Sequence, residues 1–268
     1  MRINQNIAAF NAYRNLSTTN TQMGKSLEKL SSGFRINRAA DDAAGLVISQ
    51  GLRAQVSGLR QATRNAQDGI SVAQTAEGAL NEVHSMLNRM RDLAVQAANT
   101  GSNDSDARTA AQTEFTQLSE EVTRISDTTK FGAQKLLDGS YAGVFQVGSD
   151  AGDELDVTIA DMDATALGID ALDLSADASA AITAIDTAIK TVSTTRGSLG
   201  ATQNRFESTI SNLQVSVENL AASESRIRDT DMAQEMVSFT RHQVLLQAGT
   251  AMLGQANGLP QSVLRLLG

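Results

Sequence analysis

The sequence predicts a mainly α fold, an elongated rod of long antiparallel helices with coiled-coil packing, with the N- and C-terminal helices paired and a small β-hairpin region near residues 140–175. Three observations carry this. Apolar residues recur at alternating spacings of three and four over long stretches, which is the seam of helices packed nearly parallel. Proline occurs once, tryptophan is absent and aromatics make up 3% of the 268 residues, so the core must come from Ala, Leu, Ile, Val and Met on helices with few breaks. One stretch, 131–174, exchanges that period for alternation among glycines.

In chain order, the first apolar stripe runs through Ile3, Ile7 and Phe10, then Leu16, Met23, Leu27, Leu30 and Phe34. A longer seam follows through Leu52, Val56, Leu59, Ala66, Ile70, Ala73 and Leu80. After a phase adjustment it continues through Val83, Leu87, Met90 and Ala94. Asn99 to Asp104 reads as a turn, with Asp104 or Ser105 capping the next helix, whose shorter seam is Phe115, Leu118, Val122 and Ile125. Phe145 and Val147, then Leu155, Val157 and Ile159, alternate with polar residues among Gly139, Gly143, Gly148 and Gly152, the pattern of one or two short hairpins. The last long seam is Ile182, Ile185, Ile189, Val192, Leu199, Phe206, Ile210, Leu213, Val217, Leu220 and Ile227. A helix over 182–227 would span ~70 Å, whereas a compact globule of this chain length is only ~50 Å across, which is why a rod is expected.

The chain closes on Met232, Met236, Phe239, Leu246 and Leu253, with Val237 and Val244 alongside, and then Val263, Leu264, Leu266 and Leu267. Two terminal helices of roughly 40 residues packed only on each other leave part of their stripes in water, and each large side chain left exposed forgoes about 1.5–3 kcal/mol of burial. Two readings are open. Either the ends close an intramolecular antiparallel pair, or they order on assembly, with other copies supplying the missing cover.

Composition excludes several functions. The net charge of -8 and pI near 4.8, with basic residues scattered singly, offer no footprint for nucleic acid or an anionic membrane surface. There are no cysteines, hence no disulfide, thiol chemistry or cysteine-ligated metal. The N-terminus lacks the apolar run of a signal peptide, and no stretch has the ~20 apolar residues of a membrane span, which by itself points to the cytoplasm. The two histidines, His84 and His242, sit in no His-Glu-x-x-His helix, and no Gly-x-Ser-x-Gly elbow or phosphate-cradling loop is present. No enzyme, metal or cofactor is expected.

Ordered motifs then carry a family resemblance. Leu30-Ser31-Ser32-Gly33-Phe34-Arg35-Ile36-Asn37, Ala40-Asp41-Asp42-Ala43-Ala44-Gly45, Arg64-Asn65-Ala66-Gln67-Asp68-Gly69-Ile70-Ser71 and Glu77-Gly78-Ala79-Leu80-Asn81-Glu82 resemble the flagellin N-terminal signature. Leu245-Leu246-Gln247-Ala248 through Ala256-Asn257 to Pro260-Gln261-Ser262-Val263-Leu264 resembles its C-terminal partner. The resemblance implies that residues 1–40 and 230–268 form a terminal coiled coil lining a filament core. Residues 41–229 would form a helical rod with a hairpin, with no separate outer domain. The terminal assembly interface would comprise Ile3, Ile7, Phe10, Leu27, Leu30, Met236, Phe239, Leu246, Leu253, Val263, Leu264, Leu266 and Leu267.

The resemblance also replaces the cytoplasm with an extracellular flagellum, reached by type III export without a cleaved signal peptide. It implies as partners further copies of the chain in a helical homopolymer, an export chaperone, and hook-filament junction and cap proteins. Leu87 to Gln96, with Gln112-Thr113-Glu114, resembles the surface that flagellins bury between subunits and that an innate immune Toll-like receptor recognises; Arg89, Leu93 and Glu114 match it position by position. Asp41 and Asp42 precede a helical run and suit an N-cap. Gly33 and Gly45 either mark a bend or allow close helix packing. A hook-filament junction protein and a soluble helical adaptor are the competing readings.

Overall fold

The computed structural model describes residues 5–99, 101 and 104–267, with side chains as far as residue 258. Among the described residues the elements are α1 (Ile7–Ser32), α2 (Ala43–Ala98), α3 (Ser105–Thr128), β1 (Lys130–Phe131), β2 (Gln134–Lys135), β3 (Ala142–Gln146), β4 (Glu154–Thr158), α4 (Ala178–Arg228) and α5 (Met232–Leu267). Two compact units emerge, one of Met1–Gln55 with Asn219–Gly268 and one of Val56–Glu218, and the division falls inside α2 and α4.

In the terminal unit the helix ends follow from capping chemistry. Asn6 caps α1 by accepting the Ala9 N–H at 3.0 Å, and Gly33 ends the helix with φ +75°, returning its N–H to the Lys29 carbonyl at 2.8 Å. Only a residue without a β-carbon adopts that left-handed turn cheaply. The acidic pair divides its work. Asp42 accepts the Gly45 N–H at 2.8 Å at the start of α2, whereas Asp41 accepts the Arg38 N–H at 3.0 Å and closes the loop before it. Gly45 is a packing glycine rather than a bend, since a β-carbon there would lie 2.8 Å from Ile36 Cδ1. Asp231 caps α5 through the Ala233 and Gln234 N–H groups.

Unit 56–218 holds most of the fully buried large side chains, among them Phe115, Phe206, Leu80, Leu87, Met90, Met162, Ile169 and Ile185; Ile36 is the counterpart in the terminal unit. Within α2 the buried line runs 66, 69, 73, 76, 80, 83, 87, 90, 94 and 97, an unbroken alternation of three and four. The phase adjustment expected between Leu80 and Val83 is therefore not there. It lies earlier, at Val56, Leu59 and Ala62, where two spacings of three occur in succession. Ile70 and, on α4, Ile182 and Ile189 flank the seam half-buried, because Gly69, Ala181 and Ala188 occupy its centre.

The hairpins close this unit. β3 and β4 pair antiparallel with Phe145 opposite Leu155, as the alternation predicts. A second, tighter hairpin, β1–β2, turns on Gly132 and Ala133, with Gly132 at φ +62°, the first central position of a primed two-residue turn. Residues 160–177 contain no named strand but are packed in: Met162, Leu167, Ile169 and Leu174 are buried, and the Gln112 side chain grips the segment. Its Nε2 donates to the Leu172 carbonyl at 3.0 Å and its Oε1 accepts the Leu174 N–H at 2.7 Å.

Candidate assembly surface

The terminal unit turns a line of mixed small and large residues inward. The less exposed positions of α1 include Ala9, Ala12, Leu16, Thr19, Met23, Ser26 and Leu30, and those of α5 include Glu235, Phe239, His242, Leu246, Gly249, Leu253 and Ala256. Both sets alternate by three and four, the geometry of a coiled-coil seam. The pair is antiparallel: Asn6 Nδ2 donates to the Ala256 carbonyl at 2.7 Å, and a β-carbon on Gly249 would lie 3.0 Å from Leu16 Cδ1. Small seam residues let the backbones close up, so Cα atoms of α1 and α5 come within 8 Å repeatedly along their length, as in no other helix pair among the described residues.

That choice of seam puts large apolar side chains outside. Ile7 is 61% exposed, Phe10 70%, Leu27 57% and Met236 50%. Tyr13, Val237, Val244 and Leu245 join them, and Met236, Val237, Val244 and Leu245 border an open groove on α5 together with Thr240 and Arg241. The terminal residues singled out from sequence thus separate into two groups. Leu30, Phe239, Leu246 and Leu253 are half-buried and belong to the intramolecular seam, whereas Ile7, Phe10, Leu27 and Met236 face outward. Ile3 lies outside the described residues, as do the side chains of Val263, Leu264, Leu266 and Leu267.

A backbone strap at the base of the pair went unread in the sequence. The Arg35 N–H donates to the Arg228 carbonyl at 2.7 Å, the Thr230 N–H donates to the Gly33 carbonyl at 3.0 Å, and the Arg228 guanidinium stands 4.4 Å from the Phe34 ring centroid. These segments are remote in the chain, and no local pattern announces their pairing.

In unit 56–218, Arg89 reaches Glu114 with Nε at 2.8 Å and Nη2 at 2.7 Å from the same oxygen, both side chains about half exposed. Leu93 is a correction to the expected surface: at 2% exposure it is buried, one residue beside Ala94 of the central line, as Val72 is beside Ala73. The signature run around Asn65 has a packing explanation. Asn65 Nδ2 donates to the Gln146 carbonyl at 2.9 Å, tying β3 to α2. A β-carbon on Gly69 would come 2.5 Å from Phe206, whose ring meets Phe145 edge-on at 5.4 Å between centroids.

Among the described residues no three His, Asp or Glu side chains gather as a metal site, and no helix is long and apolar enough to cross a membrane. His84 and His242 are both half-buried on helices.

Comparison with known proteins agrees with this arrangement at both ends. Residues 3–142 match the model of the bacterial flagellin N-terminal helical region, and residues 182–267 that of the C-terminal helical region. A flagellin of Halalkalibacterium halodurans is 56% identical over 272 residues, with 100% of both chains covered. Among solved structures, Bacillus cereus flagellin is 31% identical with a TM-score of 0.52, over 60% of this chain and 94% of that one. A Vibrio parahaemolyticus protein described as flagellar hook-associated shares the fold alone, at 16% identity and a TM-score of 0.59, over 70% of this chain and 100% of that one. Helical matches at both ends, the full-length relative and the absence of a large variable domain lead to one conclusion: the chain belongs to the flagellin family as a short form, a structural and non-enzymatic subunit that self-assembles into the extracellular bacterial flagellar filament.

Proposed function

We propose that the chain joins the filament through the outward stripe of α1 and α5. Residues 1–40 and 230–268 act as the terminal coiled-coil domain lining the filament core, and residues 41–229 as the outer helical domain. The observation behind this is that the seam of the terminal pair leaves Ile7, Phe10, Leu27 and Met236 on the outside, each at least half exposed. A helix pair closing an ordinary bundle would leave few large apolar side chains exposed beside its seam. Ile3, Val263, Leu264, Leu266 and Leu267 extend the stripe by their spacing. Leu30, Phe239, Leu246 and Leu253 hold the pair together beneath it.

Before assembly the same stripe is a surface for a flagellar export chaperone, and the chain leaves the cell through the flagellar type III apparatus without a cleaved signal peptide. Junction and cap proteins meet it at the filament ends. Monomer carrying Phe10→Ser with Val237→Ser, offered to filament fragments as seeds, is expected to keep its helical circular dichroism and lose elongation. Elongation at the unsubstituted rate refutes the outward stripe as the assembly surface.

A second reading concerns Arg89 and Glu114, the exposed pair whose surroundings resemble a Toll-like receptor epitope. With Leu93 buried, its role there is to position Arg89 from below. Arg89→Ala is expected to lower potency in a receptor reporter assay while costing under about 1 kcal/mol of stability. Equal potency removes the receptor role.

A further inference from the structure

We propose that the exposed α5 methionines Met232, Met236 and Met252 are oxidation sites and that sulfoxidation, above all at Met236, switches off polymerisation. The inference rests on the assembly reading above. The chain has eight methionines, and their environments differ sharply. Met90 and Met162 are 0% exposed, and Met23 and Met86 are half-buried. Met232, Met236 and Met252 stand 47%, 50% and 64% exposed, all on α5.

Thioether reactivity toward a two-electron oxidant follows access to the sulfur, so the three α5 methionines react first. The oxidant is a peroxide or a hypohalous acid. With hydrogen peroxide the thioether sulfur attacks the terminal oxygen, the O–O bond breaks, an S=O bond forms and water leaves. Sulfur loses the two electrons that the peroxide gains. The product replaces a soft apolar side chain with a polar, chiral one.

Position turns this chemistry into a switch. Met236 borders the apolar groove with Val237 and Val244, so its sulfoxide places a strong hydrogen-bond acceptor in the surface that a second copy has to cover. The seam beneath holds one sulfur, that of Met23 on α1, which is half-buried and so reacts after the three exposed ones; Leu246, Gly249 and Leu253 opposite contain none. Oxidation therefore leaves the terminal pair folded and removes its partner surface. In the filament, where that surface is covered, the Met236 sulfur reacts more slowly than in the monomer.

The experiment treats purified full-length monomer with hydrogen peroxide. It locates the added oxygen by peptide mass spectrometry and then measures elongation from untreated filament fragments. Expected are oxidation at Met232, Met236 and Met252 ahead of Met90 and Met162, unchanged helicity, and elongation slowed by at least about tenfold. Methionine sulfoxide reductase should restore elongation. Oxidised monomer that elongates at the untreated rate overturns the proposal and leaves the assembly reading standing. Untreated monomer that fails to elongate counts against the assembly reading instead. A variant with Met232→Leu, Met236→Leu and Met252→Leu, measured against its own untreated rate, is expected to lose none of that rate on peroxide treatment; if it elongates untreated but loses elongation on oxidation, the site is elsewhere. Should the variant not elongate untreated, the reductase arm on the unsubstituted chain decides: recovery supports the switch, and a repaired monomer that stays inactive overturns it.

Discussion

The terminal helix pair and the 56–218 unit use the same spacing of three and four for opposite ends. In the larger unit the seam positions carry Leu80, Leu87, Met90, Ile185 and Phe206, and these side chains are sealed from water. In the terminal pair the seam mixes Ala9, Ala12, Ser26, Gly249 and Ala256 with Leu16, Phe239, Leu246 and Leu253, and further large apolar side chains, Ile7, Phe10, Leu27 and Met236, are turned away from it. Periodicity tells where a helix meets a neighbour. Residue size at those positions tells how much of the apolar surface stays available for another molecule.

The contrast is broken most directly by matched truncations. Phe206→Ala should lower the unfolding free energy of the 56–218 unit by about 3–5 kcal/mol, because the ring is wholly buried between Gly69 and Phe145. Phe10→Ala should change stability by less than about 0.5 kcal/mol. Denaturant unfolding of both variants measures the pair, and equal costs would mean that Phe10 is core after all.

A smaller effect sharpens the same comparison. Gly69→Ala forces a methyl into the Phe206 ring and should cost about 1–3 kcal/mol, read as a lower melting temperature; Gly24, with nothing within 4 Å of its would-be β-carbon, should tolerate alanine.

The smallest effect is electrostatic and belongs to the terminal unit. The Asp41 carboxyl is held below its ordinary value of 3.8, chiefly because it accepts the Arg38 N–H. A lowered carboxylate stabilises the folded chain at pH above that ordinary value, and the contribution disappears as pH falls through the lowered one. Asp41→Asn keeps an acceptor and does not titrate. Acid titration should show the unsubstituted chain losing a stability increment that the variant lacks, and parallel curves would exclude a role for the carboxylate.

Much of this architecture was legible in residue order alone. The helix seams, the Asp104 cap, the β3–β4 alternation and the terminal motifs all depend on neighbours within a few residues, where helical and strand geometry leaves little choice. The hairpin at 130–135 was less visible, since two-residue strands are too short to show a period. The buried loop over 160–177 was missed because it is held by Gln112, a contact with no local signature.

The sequence by itself determined that the chain is helical and that its ends carry apolar stripes. Only the tertiary structure decided which residues of each stripe are spent within the chain. An amphipathic stripe can be wider than one partner helix covers, and the choice of its central line depends on the shape of that partner. Here the fit of Ala12, Leu16 and Ser26 against Leu246, Gly249 and Leu253 sets the line and leaves Ile7, Phe10, Leu27 and Met236 outside. The same dependence on a distant partner fixed Leu93 inside and paired Phe34 with Arg228. Spacing along one helix is a property of one segment, whereas burial is a property of two.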